Sequence, residues 1–197
     1  MKTGRPDPTL LRWLLSPGRT APASRRPAGA SSRDARTARL AGAHLLRRMD
    51  APLARIDIEE GLAGWLTSGR HRVDADLLWL GAWLSAQALR RNTGSACCSH
   101  VAGLLGPQRF VRALKHGARI DVPGSEPPDA ARLRAIGLAA MHAYLCVLSP
   151  ALATRFLLDQ PVSRERAMKE EMWVAGAGPM AVVISDVALW NRHEPTV

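Results

Sequence analysis

Cys97, Cys98 and His100 lie within four residues of one another, the densest set of soft ligands and nucleophiles in the chain. Structural zinc takes its tetrahedron from closely spaced ligand pairs. The other candidates, Cys146, His116 and His142, supply no second pair of that kind, so no metal is assigned. A cysteine nucleophile needs a histidine base and an orienting carboxylate or amide. Nothing in the spacing brings His142 to Cys97, and the thiols read as small apolar groups on a helix. Gly176-Ala177-Gly178-Pro179 has two glycines in phosphate-loop order. No clear strand precedes it and no lysine follows, and proline removes an amide donor, so it reads as a turn. Glu59-Glu60 and Glu170-Glu171 are adjacent pairs, whose carboxylates diverge around a helix and read as solvated faces. No catalytic residue, metal ligand or cofactor is therefore expected, nor a small-molecule substrate.

The elements that carry these residues are helices. Hydrophobic residues make up 47% of the 197 and aromatics 5%, so alanine and leucine must build the core, and both favour helix. Helical spacing begins after Ser32 or Asp34 with Ala38, Ala41, Leu45, Leu46 and Met49, and Asp50-Ala51-Pro52 ends it. Ile58, Leu62, Trp65 and Leu66 share a face in a short segment closed by Ser68-Gly69. The longest first-half pattern runs from Asp74 to about Arg91, with Leu77, Leu80, Gly81, Leu84, Ala88 and Leu89 on one face, stopped by Asn92-Thr93-Gly94. On it, Trp79 and Trp83 stand four apart and read as core packing. Ser95 to Leu105 follows, then a helix opened by Pro107 with Phe110, Val111 and Leu114, stopped by Gly117. Asp129 caps a second long helix through Leu133, Ile136, Gly137, Met141, Tyr144, Leu145 and Leu148. Pro150 opens the next, and Ser163 caps a charged helix through Met172. Met180 to Trp190 reads as helix more readily than as an unpaired strand. The expected fold is all-α, a single irregular helical bundle of about seven to nine helices. Residues 1–33 are expected to be a flexible, disordered Arg-rich arm, within which Leu10, Leu11, Trp13, Leu14 and Leu15 either form one apolar turn that docks on the body or a partner or simply fray, and residues 34–197 the folded domain.

Ile136 to Ala153 is the one stretch approaching the ~20 apolar residues that a bilayer span requires. His142 near its middle and the break at Ser149-Pro150 make it a buried core helix instead. Three cysteines, two of them adjacent, do not make a disulfide framework, and a reducing compartment is expected.

The formal charge of +10 is concentrated at the front: residues 1–50 hold eleven Lys or Arg against three Asp. Such a front could serve nucleic acid or an anionic surface, and in composition it mimics an organellar transit peptide. Lysine occurs only at Lys2, Lys115 and Lys169, so the basicity is nearly all arginine, as a GC-rich coding bias would leave it. Trp13 is the arm's one aromatic residue, whereas stacking on nucleic acid calls for several. A helix-turn-helix between Ser95 and His116 is weakly marked. Arg90 and Arg91, closing the long helix, and Gly69-Arg70-His71-Arg72 are the charge concentrations outside the arm. They suit an acidic partner.

The order Leu80-Gly81, Leu84, Ala88-Leu89-Arg90-Arg91, then Leu104-Leu105, Phe110, Leu114 and Gly117, resembles that of the SctK/YscK family of type III secretion accessory proteins, including its Hrp-type branch. Gly137, Ala140-Met141, Pro150 and Arg155 through Pro161 are similar to a second block of that family. The likeness spans roughly residues 77–161; after Arg91, polar Asn92-Thr93-Gly94 stands where the family tends to be apolar. The resemblance implies a non-enzymatic cytoplasmic adaptor of the injectisome sorting platform at the cytosolic face of the inner membrane. It would link the inner-membrane ring (SctD-like) to the pod protein (SctQ-like), touching the membrane only through partners, with Arg90 and Arg91 as candidate partner-binding residues. The alternative from another class is a small basic nucleic-acid-binding or transcription-associated helical protein.

Overall fold

A computed structural model of the chain describes residues 8–28, 34–47, 58–118, 120–124, 126–176 and residue 184. These hold eleven α-helices and two 3-10 turns, with no strand among the described residues: the fold is all-α. In chain order the helices are α1 (Pro8–Leu15), α2 (Pro17–Thr20), α3 (Ala35–Arg47), α4 (Glu60–Thr67), α5 (Arg70–Leu84), α6 (Ala86–Arg91), α7 (Ala96–Leu105), α8 (Pro107–His116), α9 (Ala130–Leu148), α10 (Pro150–Leu158) and α11 (Val162–Glu170). The 3-10 turns are Ala23–Arg25 and Met172–Gly176. The expected Met49 position, the Asp50-Ala51-Pro52 stop, the cap at Ser32, residues 177–179 and most of 180–190 lie outside the described residues.

Sequence punctuation is realised as capping chemistry. Ser95 Oγ accepts from the Cys98 amide at 3.1 Å, Asp129 Oδ1 from Arg132 at 2.7 Å and Ser149 Oγ from Leu152 at 3.4 Å. Each supplies an acceptor to a helix-start donor with no intrahelical partner. Pro107 and Pro150 take first-turn positions, where the missing N–H costs nothing. The connection from α7 to α8 is Gly106 alone, at φ 79°, a left-handed conformation that suits glycine.

The chain divides into two compact units. The first draws on Met1–Ser68 and Leu145–Arg166, the second on Gly69–Tyr144 and Ala167–Val197. In the first, α2 lies against α3 so closely that a Cβ on Gly18 would fall 2.0 Å from the Ala38 carbonyl oxygen. Trp65 of α4 packs on Phe156 of α10, ring centroids 5.8 Å apart.

This unit corrects the expectation of a flexible arm over 1–33 for residues 8–28, which fold onto it. Leu10, Trp13 and Leu14 are buried, and the reason for their docking is Arg155, fully buried in α10. Its guanidinium lies 4.3 Å from the Trp13 ring centroid and donates through Nε and Nη2 to the Trp13 carbonyl, at 3.0 and 2.8 Å. Nη2 also donates to Thr20 Oγ1, and Nη1 to Asp159 Oδ1 at 2.7 Å. Trp13 Nε1 and Thr20 Oγ1 donate to the same carboxylate. Burial pulls the Arg155 pKa below the ordinary guanidinium value, and Asp159 opposes that pull. A buried charge requires such a set of partners, and the front of the chain accepts three of these four guanidinium hydrogen bonds. Arg25 adds a second tie, donating to the Gln160 carbonyl and to Glu165.

In the second unit α5 is not the one-faced seam that its spacing suggested: every residue from Asp76 to Leu84 is buried. A helix apolar nearly all round belongs at a centre, with neighbours on several sides. One neighbour is α9, held at backbone contact. A Cβ on Gly81 would sit 1.8 Å from the Leu133 oxygen, and one on Gly137 2.0 Å from the Leu77 oxygen. The expected single helix from Asp74 to Arg91 starts earlier, at Arg70, and breaks at Ser85. There the Trp83 carbonyl accepts from the Ala118 amide at 2.9 Å, drawing the chain after α8 onto the break. Helix α9 is long and apolar enough to cross a membrane, but half of that stretch is buried within the fold.

Candidate protein interface

The two arginines singled out from the sequence part company at the end of α6. Arg90 turns inward onto the C-terminus of α8. Its Nε donates to the Leu114 carbonyl and its Nη2 to the Gly117 carbonyl at 3.1 Å. These are last-turn acceptors that a helix leaves unpaired. Gly117 permits the approach, since a Cβ there would meet Ala86 Cβ, the Trp83 oxygen and the Ala113 oxygen, all within 2.6 Å. Arg91 points outward. Its side chain is 66% exposed and only grazes Asp121, at 3.5 Å, a contact of little energetic weight in water. Arg70, His71 and Arg72 form the exposed first turn of α5.

Helix α8 has two chemically distinct sides. Inward, Arg109 reaches Asp76 at 3.7 Å and lies 5.5 Å from the Trp79 ring centroid. Trp79 meets Trp83 edge to face at 6.0 Å, so the tryptophan pair is core. Outward, Gln108, Val111, Arg112, Lys115 and His116 recur at helical spacing. With Pro107 and the buried Trp83 they line an open groove of about 810 Å³. Val111, 46% exposed, gives this groove an apolar centre beside the cations. Sequence reasoning missed it, although the recurrence at i, i+3, i+4 and i+7 from Gln108 was available as a signal.

The thiols do not assemble. Cys97 Sγ is directed to the Pro127 and Pro128 carbonyls, at 3.9 and 3.5 Å, and Cys98 Sγ to that of Leu89 at 3.7 Å. Burial, then Cys98 and Asp129, push the Cys97 thiol above its ordinary pKa, and burial does the same to Cys146. An activated nucleophile needs the opposite shift. Among the described residues no group of three or more His, Cys, Asp or Glu could hold a metal ion. Glu59 and Glu60 are exposed, but Glu171 departs from the solvated-face expectation. It is buried, accepting from Arg132 Nε and Trp173 Nε1, each at 2.7 Å. What the surface of this unit offers is shaped charge: an outward arginine and a basic groove. Comparison of the chain with protein families, curated proteins and solved structures returns no match in any of the three.

Proposed function

We propose that the protein is a non-enzymatic adaptor of a type III secretion sorting platform, joining the inner-membrane ring to the pod protein at the cytosolic face of the membrane. The observation that carries this reading is that positions of the SctK/YscK-like order meet one another in the fold. Gly81 lies in the α5–α9 crossing that also holds Gly137, and Arg90 bridges to Leu114 and Gly117. An order of residues that also forms a contact set is a packing fingerprint, which supports kinship more than a coincidence of common residue types does. A rigid helical body with outward cations suits docking, because complementary charge guides association and fixes register. Arg91 remains available to a partner; Arg90 acts by holding α8.

Affinity capture of the tagged full-length chain from cells that carry the secretion system tests the reading. Recovery of ring and pod proteins, with secretion lost on deletion of the gene, is the expected result. Salt-sensitive retention of nucleic acid without either partner would overturn it in favour of the basic nucleic-acid-binding alternative.

A further inference from the structure

We propose that the outward face of α8 is a docking groove for an acidic, amphipathic segment of a partner protein. It rests on the adaptor reading only in taking the occupant to be protein. Elsewhere in this unit Arg109 pairs with Asp76, Arg132 with Glu171 and Arg134 with Asp74, and Arg90 is committed to backbone carbonyls. Arg112, Lys115 and His116 form no ion pair with any described residue; Arg72 forms none either and Arg91 is only loosely held, but neither of those lines the groove. Lys115 is one of three lysines in the chain, so coding bias toward arginine does not account for this patch. Basic residues in a last turn often serve the helix's own carbonyl end. Here Arg90, from another helix, already takes the Leu114 and Gly117 carbonyls, which leaves Lys115 and His116 to face outward.

The groove between these cations selects the class of occupant. Its centre is Val111, Pro107 and an edge of Trp83, which suits an apolar side chain flanked by carboxylates. Nucleic acid fits poorly, because Trp83 is only 7% exposed and presents no free ring face for base stacking. Arg109 is turned inward, so two permanent cations remain on this face. Two cations would neutralise few phosphates, so the counterion-release gain that dominates nucleic-acid binding would be small here. Helix α8 is about 15 Å long at ~1.5 Å per residue, room for a helical segment of similar length.

The test replaces Val111 by a photoreactive benzophenone amino acid in the full-length chain, in its native cells, with position 40 as an exposed control. Expected are protein adducts at 111 and not at 40, mapping to a segment of net negative charge. Adduct yield should fall at least tenfold in Arg112→Glu/Lys115→Glu and partly in Arg112→Gln/Lys115→Gln. Because these side chains are exposed and unpaired, the thermal midpoint should not move. Absence of an adduct at 111, a neutral or basic segment, yields insensitive to both double variants, or nucleic acid in the adduct would overturn the proposal. If no adduct forms at 111 while the wild-type chain still captures ring and pod proteins, the groove is wrong and the adaptor reading stands. An acidic segment belonging to neither protein, with neither protein recovered by affinity capture of the wild-type chain, would sink the adaptor reading and leave the groove intact.

Discussion

Replacing Gly81 by alanine should destabilise the protein although it improves helix propensity. On propensity alone, alanine for glycine in a helix interior is worth about 0.8–1.0 kcal/mol of stabilisation. Against this, the new Cβ would lie 1.8 Å from the Leu133 oxygen and 2.6 Å from its carbonyl carbon, which is backbone and has no rotamer to yield. Ordinary contact begins beyond 3.4 Å, so the α5–α9 crossing must open by more than 1 Å. Radial gaps of about 0.5–1 Å forfeit a quarter to a half of each dispersion contact. The side chains facing this crossing, including Leu77, Leu80, Leu133 and Ile136, are fully buried. Overpacking of about 1–3 kcal/mol, joined by this loss, exceeds the propensity gain and leaves a net cost of about 2 kcal/mol. At about 2–4 °C per kcal/mol for a chain of this size, the midpoint should fall by roughly 4–8 °C. Gly137→Ala should behave alike. Gly64→Ala and Gly103→Ala, on exposed helix faces with nothing within 4 Å of the built Cβ, should raise the midpoint slightly. The four variants compared by calorimetry provide the assay. A midpoint for Gly81→Ala at or above that of Gly64→Ala would refute the close crossing.

Arg155→Ala strips the Trp13 carbonyl of its guanidinium donors and the half-buried Asp159 carboxylate of its ion-pair partner, leaving Asp159 the Trp13 and Thr20 donors. It should cost about 3–5 kcal/mol in chemical denaturation, with Arg155→Lys recovering only part because lysine lacks the fork. Arg90→Ala should destabilise by more than Arg91→Ala, whose denaturation midpoint should stay within error of wild type, since one caps α8 and the other is exposed. Two backbone amides, Arg36 and Thr37, hold the Asp34 carboxyl below its ordinary value of 3.8. A depressed folded value means that its contribution is complete above pH 3.8 and is lost as pH falls through the lowered value. An NMR titration should place Asp34 below 3.8, and Asp34→Ala should flatten the acid limb of thermal stability. Cys97 and Cys146, both raised by burial, should alkylate with iodoacetamide more slowly at pH 7 than a model thiol; faster modification of Cys97 would reopen the nucleophile reading.

Much of this fold could be read from local chemistry. Ser95, Asp129, Pro107 and Ser149-Pro150 act within one helical turn of themselves, so the sequence marks their helices without reference to distant partners. Among the described residues there are eleven helices against the expected seven to nine, the excess coming from the two front helices and the split at Ser85. The break at Ser85 was hidden because its cause, Ala118, lies more than thirty residues away. Docking of residues 16–28 was hidden for the same reason: proline, glycine and arginine there describe a linker by composition, and the partners that receive them, Ala38, Arg155, Asp159, Gln160 and Glu165, are distant in sequence. An arginine inside apolar α10, four residues before Asp159, was the available hint. Arg90 and Arg91 are indistinguishable as a sequence pair, and only the C-terminus of α8 separates their roles.

The buried cation at 155 ties the history of the two ends of the first unit together. A descendant that lost residues 8–28 would leave that guanidinium with Asp159 as its remaining ion-pair partner and would uncover the apolar surface on which Leu10, Trp13 and Leu14 pack. Trimming the front for crystallisation, or placing a cleavable tag so that a protease cuts beyond Trp13, therefore removes a wall of the interior and not an appendage.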